Sequence, residues 1–335
     1  MPERAGGHGS VCRARPLLGT LVQIQAAGLP ESQLQGAVDA AFAAVLQVHA
    51  LMSFHDPASE LSCINRGAAR ACQSLHPHTR TVLAAALRFA ALSAGAFDPC
   101  VADVLAAWGC LPAHDPAASG DEAPAGTGTA GSGARPRALE PPGDVRPCWR
   151  DVELTAAGVR FARPLAIDLG GIAKGYAVDL AVAVLLERGV RQLAVNAGGD
   201  LRVAGEEPWE VQLRHPLEPA AIAHRMCLHN AALATSAACF SRRPLPGGEV
   251  SALVEPRTRQ PWLGTGSVSV RAGDCMSADA LTKIVLFAPP EAVSRLLAVC
   301  AAEAVVLEVA AGDAAGNPAV ADTAVTGAAA AAAAG

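Results

Sequence analysis

Apolar and polar positions alternate through residues 17–26 (LLGTLVQIQA), and the β-branched residues among them predict a strand. Gly19 lies inside that pattern, where a glycine weakens a strand unless another group approaches its backbone closely. The pattern then predicts a helix from Glu31 to Ala50 and a second from Thr79 to Ala94, stopped at Gly95. Asp98-Pro99 opens a turn that runs into another helical stretch. Short strands are expected near 151–154 and 158–161, then a helix from Lys174 to Arg188. Further strands are expected over 192–196, 201–203, 209–214, 231–235, 251–254 and 267–271, followed by a helix over 277–287 and another after Pro289-Pro290. Helices mixed with meandering strands, without an internal repeat, indicate an α+β fold and not a regular βαβ series.

Composition changes this picture at three places. Residues 112–143 are rich in Pro, Gly, Ala, Ser and Thr without period and predict a flexible surface insertion. Residues 1–16 and the alanine-rich stretch 312–335 are expected to be disordered, leaving 17–311 as the folded domain. Hydrophobic residues make up 51% of the chain but aromatics only 4%, so alanine inflates the apolar count and contributes little burial per residue.

A net charge of -5 with interspersed signs offers no cationic face to nucleic acid, which is excluded as a partner. The ten cysteines form no CxxC pair and are expected as buried free thiols in a reducing compartment. No uninterrupted apolar stretch of signal-peptide type opens the chain, and Asp39, Glu303 and Glu308 break the longest apolar segments. The expectation is therefore a cytoplasmic protein without a transmembrane segment, or a periplasmic one should the true start lie upstream of Met1.

Three stretches carry candidate chemistry. In AIDLGGIAKGYAVDL, 166–180, a strand ends at Asp168 and a helix begins near Lys174, with Gly170, Gly171 and Gly175 permitting close backbone approach. Such a bend with a lysine at a helix start suits a phosphate, although alone it equally suits a plain helix cap. The second stretch, NAGGD at 196–200, reads either as part of a site or as an Asx/Gly hairpin turn. The third, SADALTK at 277–283, puts Asp279, Thr282 and Lys283 on the first turns of a helix, a carboxylate and a hydroxyl suited to a hard cation of the magnesium type.

These stretches in this order, with ATS at 234–236, LLGT at 17–20, MSFHDPASELSCIN at 52–65 and GAFDP at 95–99, resemble the ApbE family of FAD:protein FMN transferases. The resemblance runs from Leu17 to Glu308 outside the insertion. It implies a single compact α+β unit of two subdomains with an FAD cleft between them. Leu18, Phe54, Ala96, Phe97, Asp98, Asp168, Lys174 and Val254 fall where the family contacts FAD. Gly171 (through its carbonyl), Asp279 and Thr282 fall where it holds magnesium, and Asp168, Lys174 and Asp279 are the implied catalytic groups. The implied reaction moves FMN from FAD to a threonine or serine hydroxyl of a target protein and releases AMP.

The chain departs from the family at two places. The family commonly has threonine four residues after the metal aspartate, where this chain has Lys283, with Thr282 one residue earlier. The family's HHIIDPRTG becomes SALVEPRTR, 251–259, which removes both histidines and leaves Asp168 or Glu255 as substitute proton acceptors. An FAD pyrophosphatase yielding FMN and AMP, and an FAD-binding protein without turnover, are therefore the alternative readings. His76 and His78 are expected as solvated loop histidines, and Cys63 and Cys275 as buried thiols.

Overall fold

The alternation at residues 17–26 belongs to two strands and the turn between them. In the computed structural model, which describes residues 9–113, 146–218, 220–309 and 320–326, β1 (Gly9–Leu17) pairs antiparallel with β2 (Thr20–Leu29). The two central turn residues have left-handed backbones, Leu18 at φ 56° and Gly19 at φ 71°. Nothing lies within 4 Å of where a Cβ would stand on Gly19, so the positive φ explains that glycine and a close neighbour does not.

The pairing of β1 corrects the expectation of disorder over 1–16, since residues 9–16 are strand. Charge disguised it. Arg13 and Arg15 interrupt the apolar pattern but lay their stems on the following helix, where the Arg15 guanidinium stands 4.6 Å from the Phe42 ring centroid and 2.8 Å from Asp39.

Next come α1 (Glu31–Met52), α2 (Glu60–Gly67), α3 (Pro77–Leu92) and α4 (Ala102–Ala107), then β3 (Val152–Leu154) and β4 (Val159–Phe161). They are followed by α5 (Ala173–Glu187), β5 (Gln192–Ala197), β6 (Asp200–Gly205), β7 (Trp209–Arg214), β8 (Ile222–Leu228) and β9 (Ala232–Ala237). The short strands β10 (Arg243–Leu245), β11 (Gly248–Val250), β12 (Val254–Glu255) and β13 (Gln260–Pro261) replace the single strand expected at 251–254. The described chain closes with β14 (Ser267–Ala272), α6 (Cys275–Phe287), α7 (Pro290–Val299), β15 (Glu303–Val309) and β16 (Val320–Thr326). β16 pairs with β15 and corrects the expectation of a wholly disordered tail; Val325 packs against the core. The insertion expected at 112–143 lies outside the described residues except for Pro112 and Ala113.

Eight strands form one antiparallel sheet in the order β1-β2-β5-β6-β9-β14-β15-β16. The helices follow the strand order across one face, with α1 over β1 and β2, α5 over β5 and β6, and α6 over β9 and β14. Adjacent helices also pack on one another, α1 on α5 and α5 on α6. α1 buries Leu34, Ala37, Val38, Ala41, Phe42, Val45, Val48 and Met52, a stripe at helical spacing. This helix is long and apolar enough by length and composition to cross a membrane, but its stripe belongs to the core. On the other face, Leu213 and Leu228 of the β7–β8 hairpin meet Ala194, Val203, Leu233 and Leu307 in a second, smaller core.

Candidate active site

Asn65, the last residue of MSFHDPASELSCIN, is 1% exposed and bonds to both sides of one backbone residue. Its Nδ2 donates to the Ile167 carbonyl at 3.0 Å and its Oδ1 accepts from the Ile167 N–H at 2.9 Å. The next residue, Asp168, is thereby held at the mouth of the glycine bend, where its Oδ1 accepts from the Gly170 N–H at 3.1 Å. Burial raises the Asp168 pKa, with the Gly170 N–H and the Lys174 charge opposing it.

The bend feeds α5, and its second residue, Lys174, turns toward three oxygens. The ammonium stands 2.8 Å from Asp200 Oδ2, 3.2 Å from Asp279 Oδ2 and 3.2 Å from the Gly170 carbonyl. Lys174 and Asp279, 105 residues apart in sequence, thus share one site. Gly175 permits this approach of α5 to α6, since a Cβ there would lie 2.3 Å from the Cys275 carbonyl oxygen. The start of α6 is fixed from two directions. Asp274 caps it by accepting from the Ser277 N–H, and Asp179 of α5 accepts from the N–H groups of Cys275 and Met276 at 2.9 and 2.8 Å.

Asp279 is 1% exposed. Its Oδ1 is held by the Lys283 ammonium, which also donates to the Asp279 carbonyl at 3.0 Å. Burial works against this carboxylate, but Lys174 and Lys283 outweigh it and lower its pKa. Asp200 fares differently: burial and then the neighbouring Asp279 charge push it up to about 6. For Lys174, the two carboxylates overcome burial and raise the pKa. Thr282 is fully buried, its hydroxyl donating to the Asp279 carbonyl at 2.7 Å and lying 2.7 Å from Ser236 Oγ. Ser236 closes the ATS stretch, which therefore supports α6 from β9.

A small cleft of about 70 Å³ adjoins this cluster. Ala96, Phe97, Asp98, Asp168, Gly171, Val254 and Lys283 line it together with Ala252, Leu253 and Phe287. Leu18 instead lines a shallow depression at the β1–β2 turn, and Phe54 is buried beyond the end of α1. The Asp98 carboxylate is engaged by backbone, accepting from Cys100 N–H at 2.8 Å and Trp149 N–H at 3.2 Å, and burial raises its pKa.

Residues 18–306 match the family model described as the ApbE family. The chain belongs to the ApbE family. This family member is 30% identical over 287 residues to the FAD:protein FMN transferase of Rhodobacter capsulatus, covering 84% of this chain and 52% of that protein. It thus spans about half the length of that relative. The FAD:protein FMN transferase of Vibrio cholerae is 27% identical over 280 residues, covering 79% of this chain and 78% of that protein. Among solved structures, the ApbE protein of Thermotoga maritima superposes with a TM-score of 0.72 at 24% identity, covering 89% of this chain and 94% of that one. The flavin transferase ApbE from Vibrio cholerae gives 0.71 at 22% identity, covering 96% and 98%. These likenesses are of fold, and they bear out the α+β architecture.

Within this ApbE fold, the positions that depart from the family pattern are tied into the structure. Ser251 is fully buried and donates to the Trp262 carbonyl at 2.6 Å. Glu255 accepts from the N–H groups of Arg257 and Thr258 at 3.3 and 2.6 Å, shaping the β12–β13 turn. Arg259, at φ 59°, reaches the Cys100 carbonyl, the Pro147 carbonyl and Asp103 at 2.7, 2.7 and 2.8 Å. Asn196 accepts from the Gly199 N–H in a two-residue turn, as the hairpin alternative requires, while Asp200 faces the site.

The magnesium donors implied by the resemblance do not fit a cation as arranged. Both Asp279 oxygens face ammonium groups, Thr282 bonds internally, and among the described residues no three His, Cys, Asp or Glu side chains cluster suitably for a metal. His76 lies in the loop before α3 and caps that helix, whereas His78 belongs to α3 and is not a loop residue, its Nδ1 2.7 Å from the Tyr176 hydroxyl. Cys275 is buried as expected, but Cys63, Cys12, Cys72 and Cys227 are exposed, correcting the general expectation of buried thiols. Sequence reasoning left NAGGD open between a site and a hairpin turn and gave Asp200 no role; the structure puts Asp200 at the first position of β6, beside Lys174.

Proposed function

We propose that this chain transfers FMN from FAD to a threonine or serine hydroxyl of another protein and releases AMP. The carrying observation is the juxtaposition of Lys174 and Asp279 beside a cleft walled by Phe97, Asp168 and Val254, in a chain whose relatives are FAD:protein FMN transferases. In this reading the acceptor oxygen forms a bond to the FMN phosphorus while the bond from that phosphorus to the AMP oxygen breaks. The hydroxyl proton passes to Asp168, a cleft-lining carboxylate whose raised pKa suits a proton acceptor. Glu255 is the weaker candidate, because its carboxylate already holds two backbone N–H groups. Lys283, which lines the cleft, meets negative charge developing on the phosphate oxygens, with Lys174 on the other oxygen of Asp279. No step is assigned to magnesium, given the arrangement around Asp279.

Incubation of the full chain with FAD and a flavin-accepting protein should yield AMP and a fluorescent band that survives denaturing electrophoresis. Asp168→Asn should cut transfer by about a hundredfold or more while FAD binding persists. FAD left intact with the acceptor present would rule out transfer, and AMP released without any acceptor would identify a hydrolase instead.

A further inference from the structure

We infer that Lys283, beside Lys174, supplies positive charge that a divalent cation would otherwise bring to the pyrophosphate of FAD, so that FAD binding here needs no divalent metal. This inference rests on the flavin reading above. It follows from which groups face outward and which oxygens are already engaged. Asp279 is 1% exposed, and its two carboxylate oxygens are held separately, Oδ2 by Lys174 at 3.2 Å and Oδ1 by Lys283. A magnesium ion seeking that carboxylate would have to displace two ammonium groups. Neither can join its coordination shell, because a protonated amine has no lone pair to offer.

The hydroxyl of the expected donor set is also committed. The Thr282 hydroxyl lies between Ser236 Oγ and the Asp279 carbonyl, at 2.7 Å from each, on a side chain without exposure. Meanwhile Lys283 reaches the cleft wall, its stem passing Gly171 at van der Waals distance, 3.5 Å from Lys283 Cε to where a Cβ would stand. A ligand in the cleft therefore meets an ammonium where a carboxylate-bound cation would otherwise stand. Lys283 adds a positive charge that the family pattern lacks at this position, and lysine binds phosphate as a point charge. Asp279 and Asp200 hold the lysines in place.

The test uses the full chain stripped of metal by chelation. FAD is titrated by flavin fluorescence in EDTA and again in millimolar magnesium, and manganese binding to the protein alone is followed by electron paramagnetic resonance. The wild-type affinity for FAD should differ by less than about threefold between the two buffers, and the wild type should hold no manganese. Lys283→Thr should bind FAD at least about tenfold more weakly in EDTA, recover with magnesium, and acquire a manganese site. Lys283→Met should lose affinity in EDTA without recovery, since it adds no oxygen. Wild-type binding that requires magnesium, or manganese held by the wild type, overturns the inference, and these two arms decide it even if a variant fails to fold. Binding of FAD only with magnesium leaves the flavin reading standing, whereas no FAD binding in either buffer removes that reading itself.

Discussion

Asn65 shows how much one side chain can decide at this site. Its amide satisfies both polar groups of Ile167 inside the core, and Ile167 immediately precedes the Asp168 carboxylate at the cleft. Asn65→Ala would strand a buried N–H and a buried carbonyl. It is expected to destabilise the protein by on the order of 3 kcal/mol, read from the midpoint of urea unfolding. A midpoint close to that of the wild type would mean that water or another donor replaces the amide. Asp279 illustrates the complementary case, a buried charge tolerated because two ammonium groups surround it. Neither role is legible from residue type alone. An asparagine at the end of a short helix and an aspartate in the first turns of another are ordinary local choices, and their partners lie 102 and 105 residues away.

At the scale of elements, the site depends on how closely α5 approaches the start of α6. Their sequences already mark them as helices: α5 emerges from the glycine bend, and the helix expected over 277–287 is α6, which the structure starts at Cys275 behind the Asp274 cap. The distance between them is set by Gly175, whose missing side chain leaves room for the Cys275 backbone. Gly175→Ala would insert a methyl against main chain that has no rotamer with which to yield. It is expected to cost about 1–3 kcal/mol by thermal or chemical unfolding and to weaken FAD binding by separating Lys174 from Asp279. An alanine variant as stable as the wild type with unchanged FAD affinity would show that the helices can part without disturbing the pair. The same reasoning explains the misread first strand. The alternation at 17–26 registered the correct period, but two left-handed residues near its start, Leu18 and Gly19, set a hairpin turn where one continuous strand was expected.

At the scale of the whole molecule, the cleft is assembled from segments remote in sequence: 96–101, Asp168 with Gly171, 252–256, and Lys283 with Phe287. Ala252 is an exposed residue on its wall, so a large side chain there fills the cleft without invading the core. Ala252→Trp is expected to weaken FAD binding at least about tenfold by fluorescence titration while leaving the thermal midpoint nearly unchanged; undiminished affinity would move the flavin elsewhere. By itself, the sequence determined the main helices, most strands of the central sheet, the α+β class and the glycine bend before Lys174, because periodicity, caps and turn residues act within a few positions of one another. Only the tertiary structure decided that Asp200 faces Lys174, that Thr282 turns inward to Ser236, and that Lys283 lies on Asp279 at the cleft. Those choices rest on where α5, α6 and β9 come to lie on the sheet. Burial then converts each placement into a preference for charge pairing and hydrogen bonding that no local pattern encodes.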